Sequence, residues 1–151
     1  MSLEHERNIR LVKARFDAVN AHDWKRFQGL YSDSTEWNDA GLDKPIKGST
    51  AVRKRLEAFA RGFPDFRWQL DRVFGQGEWM CAEFTFTGTH GGPLPFAGTQ
   101  SVPVTKKSIR VSACGVYRIQ ESKIVESHVY FDYFRVLTQL GVRSPKKARG
   151  A

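Results

Sequence analysis

No stretch of these 151 residues approaches the roughly 20 consecutive apolar positions that a membrane-spanning helix needs. The first ten residues, MSLEHERNIR, are charged and carry no apolar signal core. Both absences argue against a membrane partner and predict a cytoplasmic protein. Cysteine is scarce as well. Cys81 and Cys114 stand alone, without CxxC or metal-ligand spacing, which excludes a disulfide scaffold and a zinc module and leaves two free, buried thiols. The four histidines form no pair at ligand spacing, so no metal is expected. The formal net charge is +8, yet no Gly-rich phosphate loop and no interleaved aromatic-basic motif accompanies it. The surplus therefore reads as a solvated basic surface, scattered over residues such as Arg7, Arg10, Lys13 and Arg15, rather than as a nucleic-acid footprint.

What is present suits a single core. Hydrophobic residues make up 40% and aromatics 13% of the chain, enough for burial to offset chain entropy without staples. One domain is expected over residues 1–142. The remainder, residues 143–151, carries Arg143, Lys146, Lys147 and Arg149 and reads as a disordered basic tail.

The first half has helical periodicity. Ile9, Val12, Phe16 and Val19 mark one face of a helix over residues 4–21. Asp23 caps a short second helix reaching Tyr31, and Thr35–Asn38 is a short strand. A polar connection from Gly41 to Gly48 leads to a helix capped by Ser49 or Thr50. Val52, Leu56, Phe59 and Phe63 line one face of it, and Gly62 and Pro64 end it. From Phe66 the period changes to two. Phe66, Trp68 and Leu70 alternate with polar residues, Gly75-Gln76-Gly77 turns the chain, and Met80, Ala82, Phe84 and Phe86 share the next face. A loop-like GTHGGPLPFAGTQSVP follows, then strands over 106–120 and 123–131 joined at Gln120-Glu121-Ser122. Helices first and an antiparallel meander second give an α+β fold: a curved sheet with the helices on one face.

The segment KIVESHVYFDYF, residues 123–134, carries the candidate chemistry. Val125, Ser127, Val129, Phe131 and Tyr133 form the apolar parity and face the core; Ile124, Glu126, His128, Tyr130 and Asp132 face away. Asp132 has two readings. It is a general base if it enters a pocket, or an N-cap for a last helical turn over Tyr133–Leu140. His90 in GTHGG is a pocket donor or acid, or a strand-end histidine bonded to backbone. His128 and Tyr130 contribute to a ligand site, or to an outer sheet face or dimer contact. Asn38 orients a ligand, or serves the turn Asn38–Gly41. Trp37 and Phe63 are core or pocket wall.

FPDF (63–66), GTHGG (88–92), SKI (122–124), YFDYF and TQLG (138–141), in this order, resemble the SnoaL-like polyketide cyclases of the nuclear-transport-factor-two-like superfamily, over about residues 5–142. The resemblance implies a cone, with a bent antiparallel sheet wrapped around N-terminal helices and a deep apolar pocket. It implies a small hydrophobic carbonyl compound as ligand, proton abstraction next to the carbonyl by a cofactor-free cyclase, isomerase or lyase, and a homodimer. Asn38 and His90 match pocket positions of the family. The family's acid/base position falls on Val129, and a pocket histidine of some cyclases falls on Gly115. The loss of that carboxylate leaves a second expectation, a small-ligand-binding module without catalysis.

Overall fold

The computed structural model describes residues 2–94 and 102–142. The basic tail expected over 143–151 lies outside the described residues. Two helices open the chain, α1 (Leu3–Asn20) and α2 (Trp24–Gly29). α2 begins where the Asp23 carboxylate accepts the Arg26 N–H at 3.0 Å. Strand β1 (Tyr31–Asp39) follows, longer than its central apolar residues suggest, and then the two-residue β2 (Ile46–Lys47) inside the polar connection.

Helix α3 (Ser49–Gly62) is not capped by a hydroxyl. Its N-cap is Gly48, whose φ of +93° favours glycine. Ser49 and Thr50, expected to cap, instead accept hydrogen bonds from the Gln28 side chain and tie α3 to α2. The meander is β3 (Arg67–Gln76), β4 (Trp79–Thr89), β5 (Ser108–Gln120) and β6 (Lys123–Phe131). The β3–β4 turn is at Gly77–Glu78, one residue later than the glycines suggest. The β5–β6 turn places Glu121 and Ser122 at positive φ, as a two-residue hairpin of primed type demands. Helix α4 (Tyr133–Gln139) closes the described chain.

The six strands form one curved sheet, unclosed, in the order β2-β1-β6-β5-β4-β3. The meander is antiparallel as expected, but β1 lies parallel to β6 and brings Trp37 beside Ser127 and Asp39 beside Val129. The core is the space between this sheet and the helices. Val12, Phe16 and Val19 of α1 and Val52 and Leu56 of α3 are buried there with Met80, Ala82, Phe84 and Phe86 of β4. On β6, Ser127, Val129 and Phe131 point inward, as alternation predicts. Alternation fails at Val125, which pairs with nothing on β5. The register steps from Arg118 opposite Glu126 to Ile119 opposite Ile124, so this bulge turns Ile124 into the core.

One charged residue departs from the solvated surface expected of it. Arg15 is 1% exposed. It lies three residues after Val12 and four before Val19, on the buried stripe of α1 rather than on its wet face.

Candidate functional site

The sheet divides the residues singled out above between its two faces. Asn38, His128 and Tyr130 lie on the outer face and line an open depression with Leu42, Lys44 and Pro45. There the Asn38 amide donates to the Ser127 carbonyl at 3.3 Å, His128 Nε2 lies 2.7 Å from Glu126 Oε1, and Tyr130 is 55% exposed. Trp37 and Val129 lie on the inner face, and Phe63 is fully buried where α3 ends.

His90 is also fully buried, just past the end of β4. Its Nδ1 accepts the Thr105 N–H at 3.1 Å, so the ring proton of the neutral histidine sits on Nε2. Nε2 has no partner among the described residues, and the ring packs 5.6 Å from Phe63. Asp132 is exposed and is the N-cap of α4, with Oδ1 accepting the Arg135 N–H at 2.9 Å. Its effect on the interior is indirect, because the helix it starts begins with Tyr133.

Tyr133 belongs to a polar cluster at an apolar cavity. The cavity is walled by Trp37, Leu56, Phe59, Trp68, Val129 and Phe131, with Asp39, Arg55 and Tyr133 as its polar members. Its free volume is about 30 Å³, room for about one water. The Asp39 side chain is 3% exposed and that of Arg55 19%. Asp39 Oδ2 accepts the Tyr133 hydroxyl at 2.7 Å and lies 3.5 Å from Arg55 Nη2. Arg55 Nη2 also donates to the Tyr133 oxygen at 3.2 Å, and Asp39 Oδ1 accepts the Gly41 N–H at 2.9 Å. Burial, and then the adjacent carboxylate, hold the Tyr133 phenol far above its ordinary value, so it stays a hydrogen-bond donor.

Local sequence explains the cluster. Thr35, Trp37 and Asp39 share the inward parity of β1, so Asp39 follows Trp37 into the interior. Gly41 then lets the Tyr133 ring lie flush on the backbone, where any Cβ would collide with it. Arg55 sits three residues after Val52 and four before Phe59, on the same side of α3. Tyr133 continues the inward parity of Val129 and Phe131. Asp39 and Arg55 are the residues that motif reading passed over. Asn38-Asp39-Ala40-Gly41 reads as a turn, and Arg55 as one more surface charge; only parity with Trp37 and Phe59 marks them.

The arrangement can hold a carbonyl oxygen between a phenol and a guanidinium while a carboxylate faces the neighbouring carbon. Among the described residues, no group of three or more His, Cys, Asp or Glu side chains could hold a metal ion, and no helix is long and apolar enough to cross a membrane.

The family model described as SnoaL-like polyketide cyclase matches residues 10–140. No curated protein sequence matches the chain at a significant level. Among solved structures, a protein from Jannaschia sp. CCS1, described as a candidate SnoaL-like polyketide cyclase, superposes with a TM-score of 0.83 at 18% identity. That match covers 96% of this chain and 98% of the other. AclR from Streptomyces galilaeus, a candidate hydroxylase, gives 0.76 at 19% identity over 93% and 99% of the two chains. IdmH from Streptomyces antibioticus, a candidate polyketide cyclase, gives 0.75 at 20% identity over 89% and 99%. At these identities the superpositions establish the fold.

Proposed function

The chain belongs to the SnoaL-like polyketide cyclase family, and from that premise we propose that it binds a small hydrophobic carbonyl compound in the inner cavity and transfers a proton at the carbon next to the carbonyl. The observation that carries this reading is the buried Asp39 carboxylate, in contact with Tyr133 and Arg55 on the wall of an apolar cavity. The substrate carbonyl displaces the Tyr133–Asp39 bond and takes the Tyr133 O–H and an Arg55 N–H. Asp39 Oδ2 then removes the adjacent proton. The C–H electron pair becomes the carbon–carbon double bond of the enolate, and the charge on oxygen is held by Arg55 and Tyr133. With a β,γ-unsaturated ketone, return of the Asp39 proton to the γ carbon of the dienolate gives isomerisation; attack of the enolate carbon on a second carbonyl closes a ring, and the Asp39 proton passes to the alkoxide that forms. No step draws on a cofactor.

About 30 Å³ does not admit such a substrate, since a cavity of about 150 Å³ is what holds benzene. Phe59, half-buried among Phe63, Phe86 and Phe131, is the ring that must turn aside. Cytoplasmic location and homodimerisation through the outer sheet face around Tyr130 belong to the same reading.

Deuterium exchange of an aryl methyl ketone in D2O tests it. The wild type should exchange with saturation, and Asp39→Asn should lose about a hundredfold or more, the range of general-base catalysis. Asp132→Asn and His90→Ala should both retain exchange. Full exchange in Asp39→Asn would overturn the assignment. The second reading is a binding module without catalysis, favoured by Val129 standing in the cavity wall at the family's acid position. Saturable ketone binding with no exchange above buffer would select it.

A further inference from the structure

Arg15 has no role in the chemistry above, and its surroundings are unusual for a cation. It is 1% exposed. Its Nε donates to the Tyr31 hydroxyl at 2.7 Å, while Nη1 has no partner among the described residues. None of the ion pairs among the described residues involves it. Its guanidinium carbon lies 5.0 Å from the rings of Phe16 and Tyr117, 5.5 Å from Phe27 and 5.7 Å from Trp37. Burial pushes the Tyr31 and Tyr117 phenols upward, so both stay neutral and neither is a counter-ion. A lone buried charge is among the costliest arrangements a fold can hold.

The sheet beneath Arg15 is short of partners in the same sense. Trp37, Ser127 and Tyr117 lie opposite one another across β1, β6 and β5. Trp37 Nε1, Tyr117 Oη and Thr35 Oγ1 are buried without a hydrogen-bond partner among the described residues. The tryptophan and arginine groups are obligate donors and the hydroxyls adapt, so what this patch lacks is an acceptor. Gly115 makes room for the Tyr117 hydroxyl, which a Cβ there would strike. Trp37 also walls the inner cavity, so the two sites share this side chain.

We infer that the Arg15 guanidinium, with Trp37 Nε1–H and the Tyr117 hydroxyl, is a subsite for the carboxylate of an apolar ligand. The inference rests on the cavity reading and narrows it. The ligand becomes a small apolar keto acid, its carboxylate at Arg15 and its carbonyl near Tyr133 and Arg55, with the apolar body between.

Titration calorimetry with (4-acetylphenyl)acetate and its neutral amide, at fixed ionic strength, tests this. The wild type should bind the acid about 10- to 100-fold more tightly than the amide, as a charge-assisted contact implies. Arg15→Met should bring the ratio to about one, chiefly by weakening the acid. Trp37→Phe should lower it in part, and serves if Arg15→Met does not fold. Equal wild-type affinities for acid and amide would overturn the subsite and leave the cavity reading standing. A ratio unaffected by either variant would place the carboxylate elsewhere and overturn it too. Binding of neither compound would overturn both.

Discussion

Asp39→Asn reports on the cluster before any substrate is known. The substitution keeps the shape and the amide oxygen that can still accept the Gly41 N–H, held at 2.9 Å in the wild type. It removes the charge that receives the Tyr133 hydroxyl at 2.7 Å and faces Arg55 at 3.5 Å. A hydrogen bond to a charged group contributes about 1.5–3 kcal/mol. A stranded buried partner costs about 3–5 kcal/mol, but the Arg55 side chain is 19% exposed and keeps its bond to Tyr133, so its share is smaller. The expected loss is about 2–3 kcal/mol in all. For a domain of this size that is a fall of roughly 4–12 °C in Tm. Tyr133→Phe removes the other end of the same bond. Urea denaturation of both single variants and the double variant closes a cycle, and the double should be about 1–2 kcal/mol less destabilised than the sum. Additivity within about 0.5 kcal/mol would mean that the two side chains do not share an interaction, and the cluster as described would be refuted.

Other consequences are simpler to check. Asp132→Ala should cost about 1 kcal/mol through the lost cap of α4, while ketone exchange falls by far less than in Asp39→Asn. Phe59→Ala should destabilise by about 2–3 kcal/mol, below the fully buried range because the ring is half-buried, and should tighten binding of bulkier ketones in calorimetry. The phenols of Tyr31, Tyr117 and Tyr133 are all raised above the ordinary value near 10, chiefly by burial. The folded state therefore keeps protons that the unfolded chain releases above about pH 10. This stability is fully present below that pH and is lost as pH rises beyond it, so urea midpoints should fall between pH 10 and 11.5; a rise would contradict the burial of these groups.

The elements that periodicity reveals were legible in the sequence. The stripe of α1, the alternation of β4 and the inward parity of Ser127, Val129 and Phe131 survive in the fold because each buries one face against one core. Asp132 as a cap was legible too, from an acid followed by a short helical run. Three features were not. The parallel contact of β1 with β6 is a long-range pairing that no local pattern encodes. The Val125 bulge shifts one side chain within a run of β-branched residues, and so leaves the composition unchanged. Asp39, Arg55 and Arg15 read as ordinary polar residues because composition assigns charge to solvent. Each instead sits on an apolar parity or stripe, and position, not residue type, carries the signal. The cluster depends on residues from β1, α3 and α4, so only the tertiary fold brings it together.

The most direct test of the inner cavity as the site is the amide spectrum of 15N-labelled protein during titration with 4-phenyl-2-butanone. The indole N–H of Trp37 and the backbone amides of Asp39, Leu56, Val129 and Tyr133 should move together and saturate. Shifts confined to Asn38, His128 and Tyr130, with the Trp37 indole unmoved, would put the ligand on the outer face and contradict the account.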